Sequence, residues 1–207
     1  MSVDYKLYLV TDRGILKGRD LFKAVEEAIK GGVTLVQLRE KDISTLDFYN
    51  IAVKMKVLTK HYNVPLIIND RLDIAISADA DGLHIGQSDL PLEVARKLLG
   101  KEKILGYSVS SIDEAVYGEK NGADYLGAGP VYPTGSKLDA VSPIGIDNLG
   151  RIVKGVSIPV VGIGGIGISN LSEVKAAGAK GISLISAVLG KDDIQGASRE
   201  LVGVWGK

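Results

Sequence analysis

Short apolar, β-branched runs alternate with longer stretches of helical spacing along the whole chain. Eight such runs stand out: Lys6–Thr11, Thr34–Arg39, Pro65–Asn69, Gly82–Gly86, Ile104–Ser108, Tyr125–Gly129, Pro159–Ile163 and Gly181–Ile185. They are rich in Val, Ile and Leu, as parallel strands covered by helices are. Between them, Leu21–Ile29 carries apolar residues at Leu21, Val25, Ala28 and Ile29, which predicts a helix. Leu46–Leu58 does the same with a broader apolar set, and Leu171–Ala177 follows Ser169 and Asn170, both N-cap types. Gly31-Gly32, Gly122 and Gly178 close helices just before the next strand. Eight units of about 26 residues each sit near the minimum for a strand, a crossover helix and a return. The pattern predicts an α/β fold, a (β/α)8 TIM barrel forming a single catalytic domain over residues 1–207. An open doubly wound sheet is the alternative, and such sheets usually have about five to seven strands.

Composition narrows the function classes. Lys+Arg and Asp+Glu are 25 each, so the net charge is +0, which argues against nucleic-acid binding through bulk charge. There is no cysteine, which removes thiolate metal sites and cysteine nucleophiles. The first twelve residues carry Asp4, Lys6 and Asp12 and do not read as a signal peptide. The most apolar stretch, Val156–Ile168, is too short to span a membrane and is broken by Pro159 and glycines. A cytoplasmic protein is expected, with no membrane and no nucleic-acid partner. Glycine, 26 of 207, is well above the usual ~7% and implies tight turns or close backbone approach to ligands.

In a barrel the chemistry sits where strands end. Alternation along the second run puts Gln37 and Arg39 on one face, pointing inward, with Lys41 above them. A solvated surface cluster is the plainer reading of the two cations. The third run ends Asn69-Asp70-Arg71 and the fourth runs into Gly86-Gln87-Ser88-Asp89. Each aspartate alone reads as a helix N-cap. Two carboxylates from adjacent strands also suit a shared Mg2+ that keeps waters and bridges phosphate oxygens. The fifth run ends at Ser108. The sixth enters Gly129-Pro-Val-Tyr-Pro-Thr-Gly-Ser-Lys137, longer than the usual ~2–6-residue βα loop and equipped with hydroxyls and a lysine. The Thr134–Pro143 stretch reads as a lid. The seventh run ends Gly162-Ile-Gly-Gly-Ile-Gly167 and the eighth Ile185-Ser186, a pairing like the phosphate site after strands seven and eight of many barrels. Arg39, Lys41, Lys137 and a divalent ion outweigh two carboxylates, which suits a diphosphate. A diphosphate site with a metal and no evident nucleophile points to departure of a diphosphate leaving group.

Taken in order, these motifs resemble the thiamine phosphate synthase (thiamin-phosphate pyrophosphorylase) family over nearly the whole chain. The matching pieces are Gln37-Leu-Arg-Glu-Lys41, Ile68-Asn-Asp-Arg71, Gly82-Leu-His-Ile-Gly-Gln-Ser-Asp89, Gly129–Lys137, Gly162-Ile-Gly-Gly-Ile166 and Ile185-Ser186. The resemblance implies joining a hydroxymethylpyrimidine diphosphate to a thiazole phosphate with release of diphosphate. It implies one Mg2+ per subunit on Asp70 and Asp89. Arg39, Lys41, Asn69 and Lys137 would hold the diphosphate, with Gln37 and Ser108 beside the pyrimidine. Arg39, Lys41, Lys137 and Ser108 would act in catalysis. Thr134, Gly135, Ser136, Gly165, Ile185 and Ser186 would hold the thiazole phosphate. The expected chemistry is dissociative: diphosphate leaves, and the thiazole nitrogen attacks with its own lone pair. No general base is needed, and of two histidines His61 falls in a helix-to-strand turn. The partners are small phosphorylated substrates, and a homo-oligomer is compatible with the sequence. The chain departs from the family at Val109-Ser110-Ser111, where His and Thr are frequent, and at Ser136, where Thr is frequent. A thiazole tautomerase would lack the charged set. A phosphate-binding isomerase or lyase would need a carboxylate base and no Mg2+, and a binding-only regulator would show no turnover.

Overall fold

The computed structural model describes residues 3–135 and 142–206. Its strands are β1 (Leu7–Val10), β2 (Leu35–Leu38), β3 (Leu66–Asn69), β4 (Gly82–Ile85), β5 (Ile104–Val109), β6 (Tyr125–Ala128), β7 (Val160–Ile163) and β8 (Gly181–Leu184). They pair in parallel and in sequence order, and β8 returns to β1 to close a barrel. All eight predicted strands are present, and the open sheet is excluded. The helices are α1 (Arg13–Leu16), α2 (Leu21–Lys30), α3 (Thr45–His61), α4 (Leu72–Ser77), α5 (Leu92–Leu99), α6 (Ile112–Lys120), α7 (Gly145–Gly155), α8 (Leu171–Ala176), α9 (Ser186–Leu189) and α10 (Ile194–Gly206). α1 and α9 are additions to the simple alternation, each a single turn after a strand. No described helix is long and apolar enough to cross a membrane.

Local chemistry explains the boundaries. Asp20 accepts from the Lys23 backbone N–H to start α2, and Ser44 accepts from that of Asp47 to start α3. Gly31 ends α2, and Gly32 follows at φ +112°, a left-handed conformation that favours glycine. One capping expectation is corrected. Asn170 stands at the N-cap of α8 but makes no cap hydrogen bond there. Its Oδ1 instead accepts from the Gly167 N–H at 2.8 Å, tying the helix start to the glycine loop. Gly122 closes α6 as expected: it follows the C-cap Asn121 at φ +95°, and the Ala123 N–H turns back to the Gly118 carbonyl at 3.0 Å. His61 is the last residue of α3 and not a turn residue.

Strand alternation splits the core in two. Outward side chains such as Val36, Leu38, Leu66 and Ile68 join the helices in the large layer between sheet and shell. Inward side chains make a small interior cluster of Tyr5, Tyr8, Leu35, Ile67, Tyr125 and Val161. One position further toward the strand ends, the inward side chains turn polar. Gln37 and Asn69 are buried there, as are His84 and Ser183.

Candidate active site

Strand ends β2 to β4 build a charged wall. The Arg39 backbone N–H donates to Thr11 Oγ1 at 2.9 Å, and its guanidinium lies 3.4 Å from Asp12 Oδ2. Asp70 follows β3 directly, at φ +62°, a left-handed conformation that aspartate tolerates better than bulkier residues. Its backbone N–H donates to the His84 carbonyl at 2.8 Å, anchoring it to β4. Asp89 is fixed by the Gly86 backbone N–H, which donates to its Oδ2 at 2.7 Å.

Neither aspartate caps a helix. α4 begins after Arg71 and α5 after Pro91, both without a side-chain cap bond. Instead the two carboxyls meet. Burial, reinforced by the charge of Asp89 and a hydrogen bond to it, pushes the Asp70 carboxyl up to about 6. Lys41, with Nζ 3.7 Å from Asp70 Oδ2, and a hydrogen bond from Asn69 pull the other way. Two hard oxygen donors held together against their repulsion fit a divalent cation. Among the described residues no group of three or more His, Cys, Asp or Glu could hold a metal ion. The pair therefore fits an ion that takes its remaining ligands from water and substrate, as Mg2+ does.

Strand ends β6 to β8 build a different wall, around a cavity of about 700 Å³. Ser108, Thr134, Gly135, Gly165, Ile185 and Ser186 all line it, so this part of the predicted set converges. Gly164 and Gly165 sit at φ +93° and +66°, and a Cβ on Gly165 would stand 2.6 Å from the Pro133 carbonyl oxygen. Only glycine lets the β7 loop lie against the β6 loop here. Ser169 and Lys191 also line the cavity and were not foreseen. Gln37, Arg39, Lys41, Asn69, Asp70 and Asp89 lie outside its lining, on the neighbouring strand ends. Ser136, Lys137 and the central part of the predicted lid lie outside the described residues. Ser110 and Ser111 serve the start of α6: Ser111 accepts from the Glu114 backbone N–H, and Ser110 Oγ donates to the Glu114 carboxylate at 2.9 Å.

Between the two walls runs a line of side chains that the sequence reading missed. Gln37 Nε2 donates to the Tyr8 hydroxyl at 2.6 Å, and Tyr8 meets the Tyr125 hydroxyl at 2.7 Å. Tyr125 meets His84 Nδ1 at 2.8 Å, and His84 Nε2 meets Ser108 Oγ at 2.9 Å. Burial raises the pKa of both tyrosines, so their hydroxyls stay protonated. Ser183 is also new. The residue lines the cavity, and its Oγ is, among the described residues, the buried side-chain polar atom left without a hydrogen-bond partner. The available signal was small or polar residues spaced two apart: Gly82 with His84, Gly106 with Ser108, Gly181 with Ser183.

A family model described as thiamine monophosphate synthase matches residues 7–188. The chain belongs to the thiamine monophosphate synthase family. A thiamine-phosphate synthase of Desulfitobacterium hafniense is 56% identical over 205 residues, covering 99% of each chain. One from Clostridium novyi is 55% identical over 204 residues, covering 99% of this chain and 100% of the relative. Among solved structures, a thiamine phosphate pyrophosphorylase from Pyrococcus furiosus superposes with a TM-score of 0.90 at 41% identity. It covers 99% of this chain and 96% of its own. Membership of the thiamine monophosphate synthase family agrees with the resemblance carried by the strand-end motifs.

Proposed function

We propose that the protein is a thiamine phosphate synthase, condensing 4-amino-5-hydroxymethyl-2-methylpyrimidine diphosphate with 4-methyl-5-hydroxyethylthiazole phosphate. The observation that carries the reading is the carboxyl pair Asp70–Asp89, with Lys41 against it, on strand ends adjoining the glycine-walled cavity. One wall suits a diphosphate with its metal. The other suits a phosphate monoester held by backbone and hydroxyls.

Asp70 and Asp89 would hold one Mg2+ per subunit, which when bound neutralises charge on the leaving diphosphate. Arg39, Lys41, Asn69 and Lys137 bind that diphosphate and share its charge as it departs. Gln37 and Ser108 orient the pyrimidine. Thr134, Gly135, Ser136, Gly165, Ile185 and Ser186 hold the thiazole phosphate so that its ring nitrogen faces the carbon losing diphosphate. The nitrogen has no proton to lose, so the residues need only position two substrates and stabilise developing charge. Such a reaction belongs in the cytoplasm, on small phosphorylated substrates.

The test is direct. The purified protein is mixed with both substrates and Mg2+, and thiamine phosphate is sought by mass spectrometry, with EDTA as control. Metal-dependent product supports the reading. A folded protein that makes none overturns it, and product insensitive to EDTA overturns the metal assignment alone.

A further inference from the structure

The line from Gln37 to Ser108 links two residues that the synthase reading places beside the pyrimidine. It crosses the barrel interior through Tyr8, Tyr125 and His84, all buried. Space is kept for it. A Cβ on Gly106 would overlap both the Tyr125 ring and His84 Nδ1, and one on Gly127 would stand 3.1 Å from His84 Cε1. Three interior polar side chains and two glycines are thus arranged around one chain of hydrogen bonds.

Each hydroxyl in that chain has one proton to give, which fixes an order. Tyr8 accepts from Gln37 Nε2, so its own proton goes to Tyr125. The Tyr125 proton then goes to His84 Nδ1. A neutral imidazole accepting at Nδ1 carries its proton on Nε2 and donates to Ser108 Oγ. Ser108 receives a hydrogen bond and has its own proton left to offer elsewhere, and Ser108 lines the cavity. At the other end, a Gln37 amide committed through nitrogen keeps its carbonyl oxygen as an acceptor.

We propose that Tyr8, Tyr125 and His84 are positioning residues, a proton-ordered wire that makes Ser108 a donor and Gln37 an acceptor toward one aminopyrimidine ring. That ring carries an amino donor and ring-nitrogen acceptors, the complement of this pattern. The proposal rests on the synthase reading. It goes further by assigning a role to three residues that touch no substrate and by stating which hydrogen-bond polarity the pocket recognises. Reversing the wire would leave Ser108 with lone pairs only and Gln37 offering N–H, the wrong polarity at both ends.

A double-mutant cycle between Tyr8 and Ser108 tests the wire, since the two touch only through Tyr125 and His84. Single-turnover rate and pyrimidine diphosphate affinity by calorimetry are measured for Tyr8→Phe, Ser108→Ala and the double variant. Phenylalanine keeps the ring and removes the proton hand-on. If the wire acts, Tyr8→Phe slows the reaction ~10-fold alone and only ~3-fold in the Ser108→Ala background, the remainder being lost at Gln37, which Tyr8 touches directly. Its effect on melting temperature is the same in both backgrounds, which a merely structural role would match while giving independent rate effects. Rate factors that multiply independently overturn the wire while leaving the synthase reading intact. Should Tyr8→Phe not fold, Tyr125→Phe replaces it in the same cycle with the same expectations. A wild-type protein that neither binds the pyrimidine diphosphate nor turns over overturns the synthase reading, and the wire's role with it.

Discussion

The two walls of the barrel mouth handle charge by opposite means. The β2–β4 wall uses ionised side chains, Arg39, Lys41, Asp70 and Asp89, each braced by a neighbour. The β6–β8 wall uses glycines and hydroxyls around a cavity, with Lys191 the charged side chain among its described lining. A diphosphate that must leave is suited to mobile counter-charges, which strengthen their hold as charge develops. A phosphate monoester that must only stay is suited to fixed backbone N–H groups, which need no reorganisation. On the proposed reading, the difference teaches that binding and departure would be divided between separate strand ends of one sheet.

The largest effect should come from removing a counter-charge that the proposed reaction assigns to the leaving diphosphate. Lys137→Ala is expected to slow single-turnover diphosphate departure by ~10²–10³-fold while leaving thiazole phosphate affinity nearly unchanged. An unchanged rate would remove Lys137 from that role. Asp70→Asn comes next, and sharpens the metal assignment. Mg2+ should raise the melting temperature of the wild type and fail to do so in the variant. The variant without metal should be no less stable than the wild type, because it ends the repulsion with Asp89. Equal Mg2+ shifts in both would count against the pair as ligands.

The backbone wall should respond more quietly. Gly165→Ala forces a side chain into φ +66° and against the Pro133 carbonyl. A cost of ~1–3 kcal/mol in stability is expected. Affinity for the thiazole phosphate should fall while that for the pyrimidine diphosphate holds, and calorimetry with each substrate separates the two walls. The smallest effect has the opposite sign. Ser183→Ala removes a buried hydroxyl without a partner and should stabilise the free protein by ~1 kcal/mol. That corresponds to a rise of ~2–4 °C in melting temperature for a chain of this size. A drop instead would mean that Ser183 is satisfied by water in solution.

The charged wall was legible in the sequence because its residues break an apolar run abruptly. Arg39 after Leu38 and Asp70 after Asn69 announce strand ends, and strand ends are where barrels do chemistry. Their pairing was not legible. Asp70 and Asp89 each look like caps until the structure shows α4 and α5 starting without them. The glycine wall was half legible: the glycines stand out, but the clash that requires Gly165 comes from Pro133, on another loop. Tyr8, His84 and Tyr125 were missed because each sits inside a run read as apolar core. Their hydroxyls and ring nitrogens find one another only once β1, β4 and β6 face a common axis, which no local pattern records. Asn170 misled for a related reason, since its side chain serves the loop before the helix it precedes.

The closing seam of the barrel has a consequence for how the protein is made. β1 and β8 pair Tyr8 with Ser183 across nearly the whole chain. During synthesis the ribosome delivers β1 first, and its edge waits unpaired until β8 emerges. Seven strands without the eighth would leave Tyr8 open to water on that side and the cavity without Ile185 and Ser186. Closure of the barrel is therefore a late event, even though every other strand pairing joins neighbours in sequence. A chain cut before β8 would leave the edges of β1 and β7 exposed, a ready template for pairing with other chains.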